Sequence, residues 1–286
     1  MKSRPYQEID VFTAQAYRGN PLAVVVDAQG LDTEAMQAFA RWTSLSETAF
    51  LLPATDPAAD YQVRIFTPVR ELPFAGHPTL GSCHAWLANG GVPRTPGHVV
   101  QQCGVGLVPL RQAEGRLAFR APALREEAPA PQELAAAYAA LRLDASRVRA
   151  ARWLTNGPRW LSLLLDSATA VLALEPDHAA VARLGLVGVA GLHPAAERPL
   201  QGDLEVRAFT AAVNVMEDPV TGSLNAAFAQ WLIPTGQLPA RYQAAQGQRL
   251  QRAGRVHIEA HGAGAPDFTV WVGGDCVSCV EGQVQL

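Results

Sequence analysis

Lysine is almost absent from this sequence of 286 residues, in which Lys2 is the only lysine among 23 basic side chains. An enzyme that holds pyridoxal phosphate needs a lysine on a rigid element, and the second residue of a chain is a poor position for one. The sequence also lacks the Gly-Lys-Ser/Thr of a Walker A loop and a Gly-x-Gly-x-x-Gly that joins a strand to a helix. These absences predict a protein without a pyridoxal or nucleotide cofactor.

Charge excess and long apolar runs are missing as well. The 23 basic residues nearly balance 26 acidic ones, so no basic surface for nucleic acid is predicted. No apolar run approaches the ~18–20 residues that span a bilayer. The first residues, MKSRPYQEIDVFT, contain no apolar core of a signal peptide. We therefore expect a cytoplasmic protein with no nucleic-acid or membrane partner.

Cysteines are few, and their spacing gives only a weak metal signal. Cys276 and Cys279 spell Cys-x-x-Cys, which occurs in redox and zinc sites, but no second pair or paired histidines complete a zinc site. Their surroundings read as strands around a glycine turn, and residues three apart on a strand point to opposite faces. We expect structural thiols and no metal.

Short strand-like runs outnumber helical ones, which favours an α+β protein. The run LDTEAMQAFARWTSL predicts a helix with Asp32 as its N-cap, and PTLGSCHAWLANGG predicts a second helix that ends at glycines. The segment PALREEAPAPQEL has the composition of a linker. We therefore place one domain at 1–126 and another at 127–275.

The second half of the sequence echoes the first. VRIFT at 63–67 matches VRAFT at 206–210, and HPTLGS at 77–82 matches DPVTGS at 218–223. Each pair runs into an Ala/Leu/Trp helix. Two matches in the same order favour a duplicated strand–loop–helix unit, although a common local arrangement used twice would also give them.

The repeated loops suit an anionic ligand. Proline is favoured in the first helical turn, and a helix N-terminus offers free N–H donors at the positive end of its dipole. If the two halves face each other, Gly76-His77-Pro78 and Glu217-Asp218-Pro219 lie on opposite sides of one cleft. Such a cleft would hold a small anionic substrate without a metal.

Three side chains near these loops are candidates for proton transfer. His77, immediately before the predicted helix, could transfer a proton or hydrogen-bond a substrate, or else cap the helix. Asp218 is its positional partner, or else a helix N-cap. Glu47 lies between a helix and an apolar strand, where desolvation would raise its pKa toward the range of a general acid or base; the alternative is a surface turn. We interpret Glu217 as a structural or solvated neighbour.

The segments that contain these residues resemble a known family. DVFT, GNPLAVV, LSETAFLL, IFTPVRELPFAGHPTLG and EDPVTGS together resemble the phenazine-biosynthesis PhzF family, which shares the diaminopimelate epimerase-like fold. The resemblance covers nearly the whole chain. It implies two similar domains, each a β-sheet barrel wrapped around a central helix, with the active site in the interdomain cleft. It also implies that a last strand at 276–286 rejoins the first domain.

The resemblance assigns roles to individual residues. Glu47 corresponds to the proton shuttle of the family, and His77 and Asp218 complete the expected catalytic set. The expected substrate-binding positions are Asn20, Gly76, Gly222 and Ser223.

The resemblance further implies a cofactor-independent isomerase, commonly a homodimer, that moves a proton along an allylic system of a small cyclic amino or hydroxy acid. Epimerase relatives use two thiols, and neither loop here carries a cysteine. An epimerase or racemase of an amino or hydroxy acid, and a non-catalytic ligand binder, stay as alternatives. Gln101, Leu224 and Asn225 differ from the residues expected in the phenazine enzyme itself, so the sequence does not identify the natural substrate.

Overall fold

The computed structural model describes residues 1–113, 115–213 and 215–286 of the chain. It divides into two compact units, one of Met1–Arg120 with Gly273–Leu286 and one of Ala121–Val272. Both units combine many strands with few helices. Among the described residues, no helix is both long enough and apolar enough to cross a membrane.

The first unit is a mixed sheet with two helices. Its elements in chain order are β1 (Ser3–Val11), β2 (Asn20–Val25), α1 (Thr33–Thr43), β3 (Thr48–Leu52), β4 (Tyr61–Phe66), β5 (Glu71–Leu72), α2 (Gly76–Ala88), β6 (His98–Cys103), β7 (Gly106–Ala113) and β8 (Arg116–Arg120). β1 is antiparallel to β2, and α1 carries the chain from β2 to the parallel β3. β4 is antiparallel to β3 and β5 and parallel to β6, after which β6, β7 and β8 form an antiparallel meander.

Helix α2 is the centre of the first unit. It contacts β1, β2, β3, β4, β6 and β8, and most of its residues are buried. A helix that is apolar around its circumference is typical of a core position. Small residues allow the strands to approach closely: a Cβ added to Gly81 would lie 2.6 Å from Leu22 Cδ2 and 3.0 Å from Val11 Cγ2. The sheet therefore wraps around this helix, as the resemblance implied.

The second unit has the same plan. Its elements, with the strand that follows it, are β9 (Arg125–Glu127), α3 (Pro131–Leu141), β10 (Val148–Thr155), β11 (Arg159–Leu165), α4 (Ala168–Ala173), α5 (His178–Ala182), β12 (Leu186–Leu192), α6 (Arg198–Gln201), β13 (Leu204–Phe209), β14 (Glu217–Asp218), α7 (Gly222–Leu232), β15 (Arg241–Gln246), β16 (Gly254–His261), β17 (Thr269–Gly274) and β18 (Cys276–Gln285). Short 3₁₀ turns occupy Ala145–Arg147, Ala211–Val213 and Gln248–Leu250. β18 belongs to the first unit, where it is antiparallel to β1.

Strand pairing shows that the duplication extends to the topology. β11 to β16 repeat the pattern of β2 to β7: a parallel pair joined through helices, an antiparallel partner, a two-residue strand, and a parallel strand that starts the next hairpin. α7 takes the place of α2, and its residues are likewise mostly buried. The duplicated strand–loop–helix unit predicted from the two sequence matches is present in both halves.

Of two local predictions from the sequence, the N-cap of α1 is confirmed and the linker is wrong. Asp32 is the N-cap of α1, as predicted, and its carboxylate accepts a hydrogen bond from the N–H of Ala35 at 2.8 Å. The expected linker at 122–134 is wrong, because it contains β9, paired with β10, and the start of α3 at Pro131. Three exposed residues pair there through backbone groups, which side-chain composition does not reveal.

The Cys-x-x-Cys pair lies on a single strand, β18. Pairing with β1 slips by one residue between Ser278 and Val280, so Cys279 occupies a bulge, and simple alternation of faces does not hold at this point. Both thiols are free. No cluster of three or more metal-ligating side chains occurs among the residues that the structure describes.

Candidate active site

Glu47 occupies a tight turn between α1 and β3. The helix ends at Ser44, which adopts a left-handed conformation (φ 57°), and the hydroxyls of Thr43 and Thr48 close the turn at 3.0 Å. Only 18% of the Glu47 side chain is exposed. Burial raises the pKa of its carboxyl above the ordinary value, and the Ser46 hydroxyl offsets this in part. Glu47 is therefore a desolvated carboxylate and not a surface turn residue.

His77 lies beside this carboxylate. Its Nε2 is 3.6 Å from Oε2 of Glu47, close enough for electrostatic contact and too long for a direct hydrogen bond. The expectation that His77 precedes the helix is wrong: α2 begins at Gly76 with Ala75 as N-cap, so His77 is the second helical residue and does not cap the helix. Its side chain is 6% exposed. The first helical turn thus fixes the imidazole in the interior.

Asn20 sets the protonation pattern of that imidazole. The amide Nδ2 of Asn20, which is 1% exposed, lies 3.4 Å from Nδ1 of His77. Because an amide nitrogen only donates, this contact makes Nδ1 the acceptor and places the hydrogen of a neutral imidazole on Nε2, which faces Glu47. Asn20 in turn follows Gly19, whose N–H donates to the buried carboxylate of Asp10 at 3.0 Å. The structure therefore brings Asn20, Glu47 and His77 together.

Asp218 belongs to a second group of residues at the start of α7. This helix begins at Gly222 with Thr221 as N-cap, so Asp218 is neither its cap nor in its first turn. The Thr221 hydroxyl donates to Oδ2 of Asp218. Gly222 and Ser223 are the first two helical residues, and the carbonyl of Ser223 accepts from Nδ2 of Asn156 at 2.9 Å.

Gln246, which sequence reasoning missed, holds this turn together. Its side chain is 1% exposed and makes four hydrogen bonds. Its Nε2 donates to the carbonyl of Asp218 and to the hydroxyl of Thr221, both at 3.0 Å. Its Oε1 accepts from the N–H of Thr221 at 3.0 Å and from Nδ2 of Asn225 at 2.9 Å. The duplication does not indicate it, since Gln101 in the first unit also donates to a threonine of α2 but is equivalent by strand register to Ala244.

Glu217 has a structural role, as interpreted from the sequence. Both of its oxygens accept from the guanidinium of Arg207, at 2.9 and 2.8 Å, and both side chains are 5% exposed. Arg64 and Glu71 form the same two-bond pair in the first unit, at 2.7 Å for each bond, but they are partly exposed. Each pair joins the strand of the VR-x-FT match to the two-residue strand that follows it. This arginine–glutamate clamp, formed by Arg64 with Glu71 and by Arg207 with Glu217, is thus a repeated element of the fold.

Strand register identifies the position in the second unit that is equivalent to Glu47. Thr48 pairs with Phe66 of the VRIFT segment, and Val187 pairs with Phe209 of the matching VRAFT segment. Thr48 and Val187 are therefore equivalent positions. Leu186 therefore stands in the second unit where Glu47 stands in the first. The two units are equivalent in topology and unequal in ionisable groups.

The cysteine nearest to either helix start is Cys83, in the interior of α2. Burial raises the pKa of its thiol to about 12. The thiol is therefore protonated at neutral pH and is a poor base.

Comparison with known proteins identifies relatives along the full length. The family model PhzC-PhzF, phenazine biosynthesis-like protein, matches residues 9–282. Trans-2,3-dihydro-3-hydroxyanthranilate isomerase of Pseudomonas aeruginosa is 34% identical and covers 98% of this chain and 99% of its own. Antisense-enhancing sequence 1 of Schizosaccharomyces pombe is 32% identical, with 99% of each chain covered. An uncharacterised isomerase of Mesorhizobium japonicum is 33% identical over 99% of each chain.

Solved structures share the fold. A PhzF-family protein of Bacillus anthracis superimposes with a TM-score of 0.86 over 100% of both chains at 21% identity. A probable proline racemase of Agrobacterium radiobacter gives 0.64 over 99% of this chain and 93% of its own at 14% identity. These likenesses confirm the predicted α+β fold of the diaminopimelate epimerase type.

Proposed function

The chain belongs to the PhzC-PhzF family and is an isomerase, and from this premise we propose that it moves a proton between two carbons of a small anionic cyclic amino or hydroxy acid, without a cofactor. The observation that carries the proposal is Glu47. Its carboxylate is desolvated, lies next to a buried histidine, and has a leucine at the equivalent position of the second unit. One base is suited to moving a proton along a substrate.

Glu47 acts first as base and then as acid. One C–H bond of the substrate breaks as the carboxylate takes the proton, the electron pair shifts along the allylic system, and a new C–H bond forms elsewhere when Glu47 returns the proton. Atoms and electrons balance without a second reactant. A raised pKa suits both steps, because it strengthens the carboxylate as a base and makes the acid form more accessible than in an ordinary glutamate.

His77 and Asp218 orient the substrate in this proposal. With its hydrogen on Nε2, His77 donates toward the region in front of Glu47. We assign to Asp218 and to the N–H groups at the start of α7, where Gly222 and Ser223 lie, the binding of an anionic group of the substrate. Gly76 provides the matching backbone donor at the start of α2. Asn20 holds His77 in the required tautomer.

The test uses trans-2,3-dihydro-3-hydroxyanthranilate, the compound named for the Pseudomonas relative. In D₂O the protein should shift the double bond and introduce deuterium at the carbon that receives the proton, as read by NMR. Glu47→Gln should lower turnover by about a hundredfold or more, since a positioned acid/base contributes about 10²–10⁴. Glu71→Gln, a change at a half-exposed glutamate of the same unit, is the matched control and should keep turnover.

Full turnover by the Glu47→Gln variant would contradict the shuttle. Exchange and inversion at one stereocentre without a double-bond shift would show an epimerase instead. Tight binding with the compound recovered unchanged would show a non-catalytic ligand binder. The same proposal includes a cytoplasmic homodimer, for which light scattering should give twice the mass of 30.5 kDa.

A further inference from the structure

Gln246 controls more than the shape of the turn that carries Asp218. A threonine hydroxyl has one hydrogen to donate and can accept from other groups. Gln246 Nε2 donates to the hydroxyl oxygen of Thr221, so the hydrogen of that hydroxyl must point elsewhere. The acceptor within reach is Oδ2 of Asp218.

We propose that Gln246 is a positioning residue of the isomerase, which fixes the Thr221 hydroxyl as a donor to the Asp218 carboxylate and so keeps this carboxylate ionised and correctly aimed. The inference rests on the proposed function in one respect, because it takes the Asp218 carboxylate to be used in catalysis. The relay of donors itself runs in one direction, from the amide of Gln246 to the hydroxyl and from the hydroxyl to the carboxylate.

The rest of the network makes this direction unambiguous. Oε1 of Gln246 accepts from the N–H of Thr221 and from the amide of Asn225, both of which can only donate. The remaining end of the side chain is therefore the NH₂ group, which must donate. The turn is also buried on this side, since Gln246 and Asn225 are 1% and 0% exposed.

The first unit supplies the comparison. Gln101 donates to the hydroxyl of Thr79 at 3.0 Å and accepts from Tyr61 at 2.8 Å. The residue of that loop that aligns with Asp218 is His77, so no carboxylate receives the hydroxyl hydrogen. By strand register Gln101 lies opposite Tyr61 whereas Gln246 lies opposite Val206, and Thr79 aligns with Val220, so the two glutamine–threonine contacts are not equivalent; the coupling to a carboxylate belongs to the second unit.

Gln246→Glu separates the relay from simple bracing. The glutamate side chain keeps Oε1 as acceptor but replaces the donating NH₂ by an oxygen, which attracts the Thr221 hydrogen away from Asp218. A hydrogen bond to a charged group contributes enough to move a titration midpoint by about one to two pH units. We expect the midpoint of Asp218 to rise by this amount. Thr221→Val, which removes the hydroxyl, should produce a similar rise.

The measurement needs no substrate. Protein labelled with ¹³C at the aspartate carboxyl carbons is titrated by NMR, and the Asp218 signal is assigned by its absence in Asp218→Asn. Gln248→Glu adds the same charge at an exposed position two residues away and should leave the midpoint in place. Combining Gln246→Glu with Thr221→Val should add little further shift, because both changes break one relay.

An unchanged midpoint in Gln246→Glu, or a shift of full size in the Thr221→Val background, would overturn the inference. Turnover of trans-2,3-dihydro-3-hydroxyanthranilate then connects the relay to catalysis: Gln246→Glu should move the acid limb of the kcat/KM profile by the same amount as the NMR midpoint. Full turnover by Asp218→Asn would instead contradict the proposed function and leave the relay measured by NMR intact.

Discussion

The duplicated arginine–glutamate clamp allows one interaction to be tested at two depths in one protein. Glu217→Gln leaves the guanidinium of Arg207 buried without its counter-charge, although the carbonyls of Val171 and Leu174 still accept from it at 3.2 and 2.8 Å. Breaking a buried pair from one side costs about 3–5 kcal/mol. Because those two hydrogen bonds survive, we expect about 3 kcal/mol, a large share of a total stability of about 5–15 kcal/mol.

Glu71→Gln makes the same change where the partners, Arg64 and Glu71, are 23% and 38% exposed. Solvent stabilises the arginine there, so the expected loss is about 0–1 kcal/mol. Urea unfolding followed by circular dichroism gives both values, and the difference of about 2–3 kcal/mol should appear in thermal unfolding as a gap of roughly 4–12 °C. Equal losses for the two variants would refute the reasoning, because they would show that burial does not determine what the clamp contributes.

Two further predictions concern the first unit. Burial raises the pKa of Glu47 above its ordinary value of 4.5, so this group contributes stability that is fully present below pH 4.5 and is lost as the pH rises through the raised value. The Glu47→Gln variant should therefore match the wild type in stability below pH 4.5 and be more stable than the wild type at neutral pH. A variant that is less stable than the wild type at neutral pH would contradict this prediction. Gly19→Ala would place a Cβ 2.3 Å from the carbonyl oxygen of Val11, so the strand must shift. We expect urea unfolding to show a stability loss of about 1–3 kcal/mol. We also expect a higher KM, because Asn20 moves with the strand, and an unchanged KM would contradict the role of Asn20.

Local signals in the sequence predicted the elements better than their ends. The aspartate cap of α1 was predicted because a cap and its partner lie three residues apart. The proline signal misplaced the start of α2, and the equivalent proline of the second unit lies outside its helix. α2 starts two residues before Pro78, whereas α7 starts three residues after Pro219. Proline is compatible with several positions in and before a first turn, so it marks a helix start only approximately.

The candidate site shows a similar division. Glu47, His77 and Asp218 could be named because they lie in distinctive segments of the sequence. Asn156 and Gln246 could not, since their hydrogen-bond partners are distant in sequence: Asn156 meets Ser223, and Gln246 meets Asp218 and Thr221 across a strand crossover. A buried amide that braces a turn looks like any other amide until the strands are paired.

The pairing of β18 with β1 has a consequence for synthesis on the ribosome. The partner that completes β1, from Ser3 opposite Gln285 to Val11 opposite Cys276, is translated after all of Ala121–Val272. The N-terminal unit therefore keeps an open strand edge throughout the synthesis of the later unit. Open edges invite pairing with other chains. We expect nascent chains that stall before residue 276 to be the aggregation-prone species.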